Sequence, residues 1–119
     1  MGKEGSILGA PKLEGLDPDF KVKAQQVIKK MKAKGWNLRV VWAKRTKEEN
    51  DDLVKKGFAS KNSKHLDGKA LDLIDRKVGY SADRNHEYYK HLEEVTKEVG
   101  VKWGGSFRER WDPCHIEAK

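Results

Sequence analysis

The sequence holds a single cysteine in 119 residues. That excludes a disulfide framework and any cysteine-rich zinc module, since both need several thiols at fixed spacing. No apolar run approaches the roughly 18–20 residues of a bilayer span, so no stable membrane insertion is expected. The amino terminus lacks the basic-then-apolar order of a secretory signal, and nothing in it directs export. Met1-Gly2 with Ser6 meets the myristoylation pattern, but so short a pattern is read as chance. No run of like charge is long enough for an interaction tail. Lys29, Lys30, Lys32 and Lys34 read as a solvated helix face. There is no repeat, no low-complexity tract and no HExxH, which rules out a metallopeptidase of that helix-borne type.

What is present is positive charge and aromatic surface. Lys and Arg number 26 against 19 Asp and Glu, a net charge of +7 with a pI near 9.5. Such a balance suits nucleic acid, anionic membranes or anionic cell-wall polymers equally. Hydrophobic residues make up 36% and charged residues 38%, yet four Trp, three Tyr and three Phe argue against a disordered chain. The length supports one domain over 1–119, with a glycine-rich, irregular lead-in over 1–16.

Asp17 with Pro18 reads as a helix start, followed by Phe20, Ala24, Val27, Ile28 and Met31 at helical spacing and stopped at Gly35. Leu38, Val40 and Trp42 alternate as a strand. Thr46-Lys47-Glu48-Glu49 is a capping-box pattern opening a short helix that runs to Gly57. Residues 58–69 read as a polar loop and Ala70 to Asp75 as a second strand. Ser81 or Asn85 is expected to cap a helix carrying Tyr88 or Tyr89, Leu92, Val95 and Val99, ending at Gly100. Val101 to Trp103 and His115 to Glu117 complete the strands. Helices and strands mix without βαβ regularity, so the class is α+β, a small, mostly antiparallel sheet with flanking helices.

Asp72 lies between Ala70 and Ile74 on its strand face, where a carboxylate must be solvated, paired or bound to a cation. His65 precedes it by seven residues across a loop in which Gly68 permits a tight turn, so it can fold back beside Asp72. Imidazole and carboxylate are both zinc ligands. For a third ligand, His86 and His91 diverge by about 140° on one helix and read as solvated. His115, just after a turn at Pro113, is the better candidate. Two His, one Asp and an open position make a catalytic rather than a structural zinc site. Pro113 permits a bend that brings Asp112 to the same place as a general base, although Asp112 also suits a plain turn residue. Cys114 should point the other way as a small buried residue. From spacing alone, a metal site is one of many arrangements open to these side chains.

The run Ser63-x-His65-x-x-Gly68-x-Ala70-x-Asp72, followed by Asp112-x-x-His115, resembles the zinc D-alanyl-D-alanine carboxypeptidases and L-alanyl-D-glutamate endopeptidases, a family that includes vancomycin-resistance peptidases and phage endolysins. Arg45-Thr46 and Trp103-Gly104-Gly105 strengthen the likeness, which extends from about Leu13 to Glu117. The resemblance implies the fold of the hedgehog and D-Ala-D-Ala metallopeptidases, with Zn2+ held by His65, Asp72 and His115. It implies Asp112 as catalytic acid/base, Arg45 at the substrate carbonyl, and Ser63 as a site-organising or substrate-contacting hydroxyl. Against these stand duller roles: Arg45 as a surface charge paired with Glu48 or Glu49, and Trp103 and Trp111 as core or rim aromatics; Glu117 shares a strand face with His115, where it could support that ring, but reads first as a solvated carboxylate near the terminus.

The expected function is hydrolysis of the peptidoglycan stem peptide, first as an L-alanyl-D-glutamate endopeptidase of the endolysin type and second as a D-alanyl-D-alanine carboxypeptidase or dipeptidase. The expected enzyme is a monomer, made in the host cytoplasm without a signal peptide and acting on the wall, in the periplasm, after release. Its +7 charge would serve binding to anionic envelope polymers. A basic nucleic-acid module is the rival reading; it leaves the His65, Asp72 and His115 set unexplained, so no nucleic-acid partner is expected.

Overall fold

The computed structural model describes residues 13–108 and 110–119. The myristoylation pattern and most of the lead-in lie outside them. Helix α1 spans Pro18–Ala33. Its start is as expected: the Asp17 side chain accepts from the Phe20 N–H, and Pro18 sits where its missing donor costs nothing. Phe20, Ala24, Val27 and Met31 form its buried stripe. Strand β1, Leu38–Trp42, leads into α2, Lys47–Lys55, through a full capping box between Thr46 and Glu49. Strand β2 is Ala70–Asp75. Helix α3 is Glu87–Val99, and β3 and β4 are Lys102–Trp103 and His115–Glu117.

The four strands run in the order β1-β2-β4-β3, and every pairing among the described residues is antiparallel. Alternation gives the sheet two faces. Leu71 and Leu73, with Ile116 opposite Leu71, point to the core shared with α1 and α3. There Tyr88 fills the space beside the sheet and donates its hydroxyl to the Leu73 carbonyl at 2.7 Å. The other face of β2 and β4 carries Asp72, His115 and Glu117. The register sets Asp72 directly opposite His115, so one strand pairing brings two chemistry-bearing side chains together.

Two elements differ from the reading of the sequence. Residues 58–69 are not wholly irregular, for Lys64–Asp67 form a 3₁₀ turn. Ser63 caps it through its hydroxyl, and Gly68 ends it at φ 69°. A Cβ at Gly68 would meet the Gly15 carbonyl oxygen at 2.5 Å, so this stop needs glycine both for its dihedral and for the chain crossing over it. The second difference is the cap of α3. Neither Ser81 nor Asn85 provides it; His86 does, its Nδ1 accepting from the Tyr88 N–H at 3.0 Å. Ser81 is held instead through its backbone, which donates to and accepts from the Tyr89 hydroxyl. His86 is therefore outside the helix. His91 is half-buried rather than solvated, accepting from the Trp36 indole at 2.8 Å.

Candidate metal and catalytic site

His65, Asp72 and His115 each turn one potential ligand atom to a common point, and these atoms lie within 4.8 Å of one another. Each arrives by a different route. The 3₁₀ turn carries His65, and its backbone is tied to the chain after β1 by the Arg45 N–H donating to the His65 carbonyl. A register shift between Val40 and Trp42 bends the end of β1, and the Ala43 carbonyl comes 2.8 Å from His65 Nδ1. That contact places the proton on Nδ1 and leaves Nε2 as a lone pair facing the site. His115 is held in the opposite sense. Its Nε2 lies 2.8 Å from Glu117 Oε1, and its Nδ1 lies 3.1 Å from Asp72 Oδ1.

His65 Nε2 is buried and has no hydrogen-bond partner, although Asp72 Oδ2 is 3.3 Å away. An orphaned buried nitrogen is costly, and a cation at the common point would satisfy it. Two imidazole nitrogens and a carboxylate are a borderline-soft donor set that suits zinc. The residues present therefore fit the metal.

The electrostatics keep Asp72 ionised. Burial alone would raise the Asp72 carboxyl, but the hydrogen bond with His115 and the nearness of His65 hold it well below the usual carboxylate range. Burial pulls the His115 ring down, and the hydrogen bonds to Asp72 and Glu117 overcome it, raising the ring to about 9. Glu117, read from the sequence as a solvated terminal carboxylate, is in fact a half-buried partner of His115. It is also tied to Lys64 Nζ at 3.2 Å. The periodicity that put Glu117 on the face of His115 was the available signal.

Asp112 stands beside the cluster, its Oδ2 3.8 Å from His115 Nδ1. The bend expected at Pro113 is present and continues through Gly104. The Asp112 N–H donates to the Gly104 carbonyl, and the His115 N–H donates to the Asp112 carbonyl. A side chain at Gly104 would collide with the Asp112 carbonyl and approach His115 Cβ to 2.9 Å. Burial and the charge of Asp72 raise the Asp112 carboxyl above its ordinary value. A carboxylate with raised proton affinity at the lip of a cleft is suited to general acid-base work.

Arg45 is buried and makes no ion pair with Glu48 or Glu49. Its Nη1 donates to Asn50 Oδ1 at 2.9 Å and lies 3.5 Å from Ser63 Oγ, while Nη2 is 3.9 Å from Asp72 Oδ2. The guanidinium also covers the Trp42 ring, 4.7 Å from its centroid. Asn50 was missed in the sequence. It is the uncharged residue in a run of charged ones, the signal that it faces inward, and its amide donates to the Ser60 carbonyl. Ser63 Oγ accepts from the His65 N–H and so shapes the turn, and the residue also lines the cleft.

Cys114 is buried on the far side, and burial raises its thiol to about 12, which removes it as a nucleophile. Trp103 donates to the Pro113 carbonyl at 2.7 Å and so braces the segment from behind. Trp111 is packed edge-on against Tyr89 and covered by Arg84. Arg45, His65, Asp72, Asp112, His115 and Glu117 line an open cleft of about 550 Å³, with Phe58, which is 65% exposed, on its rim.

Residues 56–118 match the family described as D-alanyl-D-alanine carboxypeptidase, a stretch that includes Ser63, His65, Asp72, Asp112 and His115. This chain belongs to that family. The family is one of peptidases, and the described cleft is its candidate active site. Comparison with curated protein sequences gives no match.

Solved structures of similar fold include the Serratia marcescens L-Ala D-Glu endopeptidase ChiX. It is 22% identical, with a TM-score of 0.66 over 95% of this chain and 92% of that one. A mutant of the vancomycin resistance D,D-pentapeptidase VanY, solved in complex with Zn(II), is 18% identical. Its TM-score is 0.66 over 87% of this chain and 72% of that one. The LdcB LD-carboxypeptidase is 15% identical, with a TM-score of 0.67 over 87% of this chain and 58% of that one. These likenesses establish the fold expected for the D-Ala-D-Ala metallopeptidases.

Proposed function

We propose that this chain is a zinc-dependent peptidase of the peptidoglycan stem peptide, most directly an L-alanyl-D-glutamate endopeptidase of the endolysin type. The observation that carries the metal is the orphaned His65 Nε2, converging with Asp72 and His115 while the outer nitrogens of both rings are already engaged. The likeness to ChiX across nearly the whole of both chains supports the choice of bond. The family match supports the second reading, a D-alanyl-D-alanine carboxypeptidase.

His65, Asp72 and His115 would hold the zinc, which would supply Lewis acidity for activating a water and polarising the scissile carbonyl. The remaining work belongs to the protein. Asp112 accepts the proton of the attacking water and returns it to the leaving amine, a cycle its raised proton affinity favours. Arg45, fixed by Asn50 and Asp72, presents positive charge where the carbonyl oxygen becomes negative. The Ala43 carbonyl and Glu117 keep the two rings in the orientations the site needs. No side chain becomes covalently attached to substrate.

Digestion of defined muropeptides followed by mass analysis tests the assignment. A new amino terminus on D-glutamate, abolished by a chelator and restored by zinc, is expected. Loss of terminal D-alanine alone would replace the first reading with the second. Cleavage that persists in chelator would remove the metal from the account.

A further inference from the structure

Phe58 serves neither the core nor the chemistry above. It lines the cleft and lies outside the hydrophobic core cluster, and it is among the few large apolar side chains left exposed. A lone aromatic on open surface would carry no message. At the mouth of a cleft it marks a place where apolar surface waits to be covered.

The backbone fixes its position. Helix α2 ends in a Schellman motif, with Gly57 at φ 80°. The Gly57 N–H donates to the Val54 carbonyl at 3.0 Å, and the Phe58 N–H donates to the Leu53 carbonyl at 2.8 Å. In this motif the residue placed as Phe58 is commonly covers its apolar side chain against the one placed as Leu53. Here that contact leaves most of Phe58 in solvent. The chain that follows is pinned at Ser60, whose carbonyl accepts from Asn50 Nδ2 at 2.9 Å, and the same Asn50 side chain accepts from Arg45. Phe58 therefore belongs with Arg45 in the lining of the cleft. Asp112 arrives on a separate segment, held over the site by Phe107, whose ring centroid is 5.6 Å from that of His115.

These two segments divide the substrate between them. Asp112 returns a proton to the leaving amine, so the departing residue lies on its side and the acyl residue on the side of Arg45 and Phe58. For an L-alanyl-D-glutamate bond the acyl residue is alanine, and its nitrogen is acylated by the lactyl group of N-acetylmuramic acid. The sugar begins about two residue lengths from the scissile carbonyl, roughly 7 Å, a reach that favours the rim over the floor. Its pyranose ring holds its substituents equatorially and turns C–H bonds to both faces. Such a face gains dispersion contact against an aromatic ring.

We propose that Phe58 is the platform for the muramoyl sugar on the acyl side of the scissile bond, so that the enzyme selects stems still attached to a glycan over free stem peptides. The inference rests on the L-alanyl-D-glutamate reading and deepens it by naming the part of the substrate beyond the peptide.

The test compares N-acetylmuramoyl-L-Ala-γ-D-Glu-L-Lys with N-lactoyl-L-Ala-γ-D-Glu-L-Lys, which keeps the lactyl group and lacks the sugar, using the zinc-loaded protein. The muramoyl peptide should have a kcat/KM roughly 5- to 20-fold higher, the scale of covering one aromatic face. Phe58→Ala should bring that ratio close to one, mainly through KM, and Phe58→Trp should keep it. Raised salt should leave it in place, because an apolar contact is not screened. A wild-type ratio near one, a ratio unchanged in Phe58→Ala, one lost in Phe58→Trp, or one erased by salt overturns the proposal.

Titration of the 15N-labelled protein with N-acetylmuramoyl-L-alanine and with N-lactoyl-L-alanine, followed at the backbone amides of 57–60, separates this inference from the reading beneath it. If neither peptide is cut at the L-alanyl bond, the endopeptidase reading fails. Tighter binding of the sugar-bearing probe, lost in Phe58→Ala, would still uphold the platform, and equal binding of the two would overturn it.

Discussion

His65 and His115 use different nitrogens for the same purpose, and the choice is made by what each ring touches behind it. Ala43 takes Nδ1 of the first and Glu117 takes Nε2 of the second. Glu117 is the more revealing partner because it is charged, half-buried and also tied to Lys64. Removing it would free the His115 ring to turn and would lower the basicity of Nδ1. Glu117→Ala should therefore weaken zinc binding by about 10- to 100-fold while leaving the fold intact, measured by competition with a chromophoric chelator. Unchanged affinity would make Glu117 a bystander. Asp112 is expected to separate binding from chemistry: Asp112→Asn should keep the metal and lose about 10²- to 10⁴-fold in kcat, read from muropeptide turnover.

At the scale of elements, the site depends on a strand register and on the turns at its ends. Asp75 closes β2 by accepting from three backbone donors, Asn37 at 2.8 Å, Lys77 at 3.0 Å and Val78 at 3.1 Å. Burial alone would raise its carboxyl, but these N–H groups lower it below the ordinary value. A depressed carboxyl stabilises the fold fully above its unfolded value near ~4, and the contribution is lost as pH falls through the lower folded value. Asp75→Asn should thus cost about 1–3 kcal/mol at pH 7 in urea unfolding, and the gap to wild type should narrow in strong acid. A gap that widens toward low pH would contradict the assignment.

The elements, and the grouping of His65, Asp72 and His115, could be read in the sequence because each had a local signal. Asp17-Pro18 and the Thr46 box marked helix starts, and alternation marked β2 and β4. The turn over Lys64–Asp67, the His86 cap and the inward Asn50 had none of comparable strength. Each is settled by a partner far away in the chain or by a side chain used in an uncommon role. For the same reason Glu117 was placed on the correct face but given too little to do.

At the scale of the whole molecule, a sheet with α1 and α3 on one face leaves the other face free for chemistry, and the three candidate ligands join a turn and two strands across it. The net charge of +7, at first equally suited to nucleic acid, belongs to a chain of a peptidase family, and under the proposed function it would serve binding to anionic envelope polymers. Binding to purified envelope material should fall as salt is raised, since exposed charges are screened beyond ~10 Å at 0.1 M. Binding that ignores salt would deny the charge a targeting role. The account as a whole turns on whether these three residues hold the metal. Calorimetric titration of zinc into the metal-free protein should give about one site per chain in the wild type and in Asp112→Asn, and no stoichiometric site in His65→Ala or Asp72→Ala. Stoichiometric zinc in the latter two variants would contradict it.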